Sequence, residues 1–199
     1  MIGRICAWRP RRCASLAAAM VAIVLVFIAS VWPLRAALAQ SRALTPPQTV
    51  AGVTFAIRAA SLQMISPGAA NAALPTARFS IAITNTNKSS IGLLIEPGPS
   101  GASTDTGLDL KAFSSSIARG FKMCSPCTNV PDAEWIVLQP NQTDNAIVGF
   151  SAYGVREPQR HRNAENVDLT LILLIKEAGQ GTTRVVLSWS DIPIRNELQ

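Results

Sequence analysis

A chain of 199 residues with 18 basic and 12 acidic side chains carries a formal charge of +6, a balance that at first sight suits a polyanionic partner. Five of the basic residues (Arg4, Arg9, Arg11, Arg12, Arg35) precede Gln40 and none of the acids does, so residues 40–199 carry 13 minus 12, or +1. That near-neutral remainder excludes a nucleic-acid-binding face, and apolar residues spread along the whole length exclude a disordered chain.

From the N-terminus, four arginines in the first twelve residues are followed by 22 uncharged, mostly apolar residues at 13–34. A basic region and an apolar core are the first two parts of a secretory signal, and Ala37-Leu38-Ala39 supplies the small residues of a cleavage site between Ala39 and Gln40. Residues 1–39 are therefore expected to be a signal peptide or, uncut, a transmembrane anchor. As a helix, residues 13–34 would reach about 33 Å, enough to cross a hydrocarbon core. Either way the remainder is exported, to the periplasm or beyond, or held at the inner membrane with the domain outside. Arg11-Arg12 lacks the Phe or Leu expected two places on in a twin-arginine signal, so the pair is read as setting orientation. Cys6 and Cys13 lie inside this segment, not just after the apolar core as a lipid anchor would require.

Residues 40–48, with Pro46-Pro47, read as a short linker, and residues 49–199 as one domain. Val53, Phe55 and Ile57 alternate with Thr54, Ala56 and Arg58; Phe79, Ile81 and Ile83 alternate with Arg78, Ser80 and Ala82. Both patterns predict half-buried strands. Residues 61–75, rich in Ala, Ser and Pro, are expected to be a loop. Residues 85–90 form a turn cluster and 91–96 a third strand. Residues 97–107, with three glycines, are expected to be a long open loop of functional or mobile character. Strand character is weak in 108–113 and 117–123 and clear in 134–138 and 145–152. Val167, Leu169, Leu171, Leu173 and Ile175 then alternate against polar or outward positions. Val185, Leu187 and Trp189 do the same after a glycine-containing turn at 178–181, which predicts a hairpin.

No helical period follows residue 40, and seven to nine short strands point to a mainly β, antiparallel two-sheet sandwich preceded by one N-terminal hydrophobic helix. An up-and-down barrel is the alternative. The run Phe79-Ser80-Ile81-Ala82-Ile83-Thr84-Asn85-Thr86 resembles the strand-and-turn opening of immunoglobulin-like domains in exported bacterial proteins. Leu138-Gln139-Pro140, followed by Ile147-Val148-Gly149-Phe150, resembles their strand-to-strand corner. The resemblance covers roughly residues 50–194 and implies an immunoglobulin-like sandwich serving binding, assembly or architecture. It departs from antibody-type domains in having no cysteine pair spaced to bridge two sheets, and it transfers no functional residue.

Cys124-Ser125-Pro126-Cys127 has the spacing of a thiol–disulfide oxidoreductase motif, but no βαβ pattern surrounds it. Zinc would want four ligands, and beyond residue 40 the chain offers these two cysteines and the distant His161. Export favours a local disulfide between Cys124 and Cys127. His161 lies among Arg156, Arg160 and Arg162, where a solvated basic loop is the plain reading and contact with an anion or acidic partner the sharper one. No triad, calcium loop or cofactor motif is legible, so catalytic, cofactor and metal residues are all read as none. Asn87-Lys88-Ser89 and Asn141-Gln142-Thr143 match the glycosylation pattern and are read as turns. Trp135 and Trp189 are expected in the core. The functional expectation is a non-catalytic module binding another envelope or secreted protein. A membrane-anchored structural subunit, or a redox protein using Cys124 and Cys127, is the alternative.

Overall fold

The computed structural model describes residues 43–66, 73–111, 118–119, 122, 124, 127–132, 135–155, 157–179 and 181–198. The signal or anchor at 1–39, its hydrophobic helix, the cleavage site at Ala39 and Gln40, and Arg156 lie outside them. Among the described residues no helix is long and apolar enough to cross a membrane. Residues 43–199 belong to one compact unit, and its regular structure is almost wholly strand.

Short-period alternation in the sequence becomes pleated strand, as the physics of a one-sided core demands. In chain order the strands are β1 (Gln48–Val50), β2 (Val53–Ile65), β3 (Leu74–Asn85), β4 (Ile91–Ile95), β5 (Gly101–Thr104) and β6 (Asp109–Lys111). There follow β7 (Ala118–Arg119), β8 (Ile136–Leu138), β9 (Thr143–Ser151), β10 (Asn166–Glu177), β11 (Thr182–Pro193) and β12 (Arg195–Asn196). A 3-10 turn, Pro158–His161, precedes β10. Antiparallel pairs join β1, β2, β3 and β9 into one sheet and β8, β4, β10 and β11 into a second. β12 adds to the edge of β2 in parallel. At one margin β6 links the two sheets, pairing with β5 and touching β9 at Lys111 opposite Ser151.

One core joins the sheets. Phe55 and Ile57 of β2, Phe79 and Ile81 of β3, and Val148 and Phe150 of β9 pack in the same cluster as Leu169, Leu171 and Leu173 of β10 and Leu187 and Trp189 of β11. Two sheets burying opposed faces against each other form a β-sandwich. The predicted hairpin is present, with Lys176 opposite Thr182 and Leu173 opposite Val185, and all five predicted odd positions of β10 enter the core.

Three expectations need correction. Residues 61–75 are not all loop: β2 continues to Ile65 and β3 begins at Leu74, because Leu62 is fully buried and long-range pairing with β3 overrides the weak strand propensity of Ala and Ser. Residues 97–107 are not an open loop either, since β5 lies within them, pairing with both β6 and β10. Its buried positions are small, Ala102 and Thr104, which hid the alternation from an apolar pattern. The third concerns the strand expected over 108–113: Leu108 precedes β6, which runs over 109–111, and 112–113 lie outside the described residues. Of the segment read as linker, Gln48 opens β1 and the Leu44 N–H donates to Ile57 O at 2.8 Å.

Candidate functional site

Antiparallel alternation decides which backbone groups are left over at the margins. On β10 the Ile172 N–H donates to Ser100 Oγ (2.9 Å) and its carbonyl accepts from Glu96 N (2.9 Å), so even-numbered residues of β10 turn their backbone groups away from β11. Ile172 stands opposite Val186, which is therefore a non-hydrogen-bonded pair with both backbone groups of Val186 facing outward. The same alternation places the N–H and C=O of Arg184 and Ser188 on that margin. Among the described residues β11 pairs with β10 alone. The Gln48 side-chain amide donates to Ser188 O from across this margin, and the Val186 side chain is 56% exposed on the outer face.

A second site lies on the outer face of the β4–β10 sheet. Leu94 and Leu174 stand opposite each other there and would be exposed in a simple sandwich. Instead they are buried in a small cluster with Cys124, against which Cys127, Val130 and Trp135 pack. The covering segment is held by main-chain bonds, Ile95 N to Lys122 O (2.9 Å) and Cys124 N to Ile95 O (3.1 Å). The Sγ atoms of Cys124 and Cys127 are joined at 2.07 Å. Bonded sulfurs carry no proton, so the approaches of Cys124 Sγ to Ile95 O (3.4 Å) and Cys127 Sγ to Cys124 O (3.0 Å) are packing contacts, not hydrogen bonds. Trp135 lies over Gly92, where an added Cβ would come within 3.0 Å of the ring. Lys176 Nζ approaches the same ring at 5.7 Å. Trp135 is thus half-buried outside the main core, whereas Trp189 is in it.

Of the basic turn at 156–162, residues 157–162 are described. Arg160 forms an ion pair with Glu157, both side chains largely exposed. His161 Nδ1 is 3.0 Å from Thr106 Oγ1, and the carbonyls of His161 and Arg162 accept from the Asn196 amide. This turn docks the C-terminal strand. Among the described residues no group of three or more His, Cys, Asp or Glu is placed to hold a metal ion.

The arginines that do converge come from distant parts of the chain. Arg58, Arg78 and Arg195 line an open groove of about 630 Å³ on the outer face of β2 and β3, with Ser61, Gln63 and Glu197 beside them. Sequence reading placed Arg58 and Arg78 only as polar alternates of their strands. Their meeting with Arg195 depends on the pairing of β12 with β2, for which the sequence carries no local signal.

No protein-family model and no curated protein matches the chain. Solved structures to which the chain is similar include the human CEP192 PapD-like domain 7 (15% identity, 75% of this chain and 93% of that one, TM-score 0.31). A FixG-related protein from Vibrio parahaemolyticus (10% identity, 71% and 98%, TM-score 0.29) and a DUF4426 family protein from Pseudomonas aeruginosa (6% identity, 75% and 98%, TM-score 0.29) are similar to a comparable extent.

Proposed function

We propose that this chain is an exported, non-catalytic β-sandwich module of immunoglobulin-like type, which binds another envelope or secreted protein by accepting one of its strands along the free edge of β11. The observation that carries this reading is the edge itself. Among the described residues β11 is 12 residues long and paired on one side, whereas the strands ending the sheets elsewhere, β1, β7, β8 and β12, have 3 residues or fewer. Natural sheets protect long edges with charge, internal proline or bulges. From Thr182 to Ser190, β11 has Arg184 as its one charge and no proline. An incoming strand would complete the ladder at Arg184 and Val186.

Export is supported by the charge and apolar pattern of residues 1–39, and a first residue of Gln40 in the exported protein would exclude a retained anchor. The setting of Cys124, buried against Leu94 and Leu174, supports a structural bond to Cys127, since apolar surroundings disfavour the thiolate that exchange chemistry needs. In-cell crosslinking tests the binding. A photo-crosslinking residue in place of Ser188 is expected to give a discrete adduct with another protein. Val186→Pro removes an outward N–H and none that bonds β10, so it should abolish the adduct while lowering Tm by less than about 4 °C, or roughly 1 kcal/mol. An adduct that survives Val186→Pro, or no adduct at all, overturns the reading.

A further inference from the structure

We infer that the groove bearing Arg58, Arg78 and Arg195 is a binding site for the carboxylates of an acidic segment of another polypeptide, separate from the β11 edge. The register of the strands carries the argument. Arg195 of β12 stands opposite Ser61 of β2, Ser61 opposite Arg78 of β3, and Arg78 opposite Gly149 of β9. Residues directly opposite share a face, so one row across four strands reads Arg, Ser, Arg, Gly. With neighbouring strands about 4.8 Å apart, the two arginines are rooted roughly 10 Å from each other with a small hydroxyl between them. Gly149 adds no side chain beyond Arg78.

Two cations on one row repel, though more weakly at this separation than when directly opposite. Glu197 offsets part of this from the rim: its Oε1 is 2.7 Å from Arg195 Nε. The Gln63 amide, oriented to satisfy both neighbours, donates to Glu197 Oε2 and accepts from Arg78 Nη1, each at 3.2 Å. Gln63 therefore fixes the Arg78 head through one of its five N–H donors. Arg195 thus meets a carboxylate and Arg78 a neutral amide.

A second observation points the same way. β2 passes from Ile57 opposite Ile81 to Ala59 opposite Ser80, skipping Arg58. The extra residue of this bulge is the arginine itself, and bulges recur where a side chain must be re-aimed at a ligand. Because of it Ile57 and Ala60 both face the core while Arg58 and Ala59 face the groove. Leu44, Ile147 and Ile194 provide apolar surface beside the arginines, which suits a peptide with alternating acidic and apolar side chains better than a bare ion. Arginine forks bind carboxylates in paired, charge-assisted hydrogen bonds.

The test is a fluorescence-anisotropy titration of the purified full chain with a labelled octapeptide of alternating Glu and Leu, at low and moderate salt. Binding is expected to weaken with salt, and Arg78→Gln and Arg195→Gln should each weaken it about tenfold or more. Arg162→Gln, in the separate basic turn, should leave it unchanged. Arg195 is largely exposed, so its variant reports on the site even if Arg78→Gln impairs folding. Equal binding by Arg195→Gln and wild type overturns the inference. So does a peptide of Gln and Leu that binds as well as the acidic one. Full displacement by millimolar inorganic phosphate would identify a site for the small ion in place of the peptide.

Discussion

Asn85 ends β3 with its side chain sealed from solvent, and its amide bonds main chain on every side. Nδ2 donates to Ser89 O (2.9 Å) and to Leu138 O (3.1 Å), while Oδ1 accepts from Asn87 N (2.9 Å). The turn at 85–90 was legible because Asn and Ser favour such bends. The bond to Leu138, 53 residues away, was not, since nothing local in the sequence marks it. The exposed pair Lys176–Asp132 is another contact of this long-range kind, with Nζ donating to Oδ1 at 2.6 Å. That hydrogen bond, reinforced by the lysine charge, holds the Asp132 carboxyl below its ordinary value of 3.8. A lowered folded-state pKa contributes stability that is present above the unfolded value and lost as pH falls through the folded one. An NMR titration should therefore find Asp132 still ionised below pH 3.8, and Lys176→Gln should move its midpoint upward. An unchanged midpoint in the variant would count against the pairing.

Among the elements, the connection from β4 to β5 is the most informative. β10 pairs with β4 at 173–177 and with β5 at 167–170, both antiparallel and on the same side. β4 and β5 thus act as one strand interrupted by residues 96–100 opposite Leu171 and Ile172. The interruption would orphan main-chain groups of β10, and Ser100 prevents this. Its Oγ accepts from Ile172 N at 2.9 Å and donates to Glu96 O at 2.7 Å, in a site where Ser100 is 2% exposed. Ser100→Ala leaves the buried Ile172 N–H unpaired and should cost about 1–3 kcal/mol in urea denaturation at unchanged m-value. A loss well below that range would mean the groups find other partners. Read from sequence, Pro97, Gly98, Pro99 and Gly101 signalled a loop correctly as far as Ser100. They concealed the strand after it, because Gly101, Ala102 and Ser103 have little intrinsic strand preference.

For the whole molecule, the shared core makes the two sheets one cooperative unit. Phe79 and Phe150 meet edge to face at 6.1 Å within the first sheet, and the residues around them pack against β10 and β11. Truncating Phe150→Ala should remove about 3–5 kcal/mol. The fluorescence transition of Trp189, on the opposite sheet, should shift with the far-UV signal. A Trp189 transition that stays in place would show that the sheets unfold independently. The outer cluster of Leu94 and Leu174 under the Cys124–Cys127 segment also belongs at this scale. Ile172 and Leu174, even positions of β10, looked solvent-facing beside its odd alternation; both are buried, Leu174 because a distant segment folds over it.

By itself the sequence determined the strand class, the first half of β2 and most of β3 with their inward faces, the position of β9, and the β10–β11 hairpin with its inward face. Those follow from a period of two, which is a local property. It also fixed the near-neutral charge of residues 40–199. Tertiary structure alone decided that β11 keeps an unpaired edge and that Cys124 is buried in an outer cluster. It also decided that Arg58, Arg78 and Arg195, far apart in the chain, line one groove. Each depends on which strand lies beside which, and in what register. Register is set by the packing of the whole core and leaves no mark within a single strand.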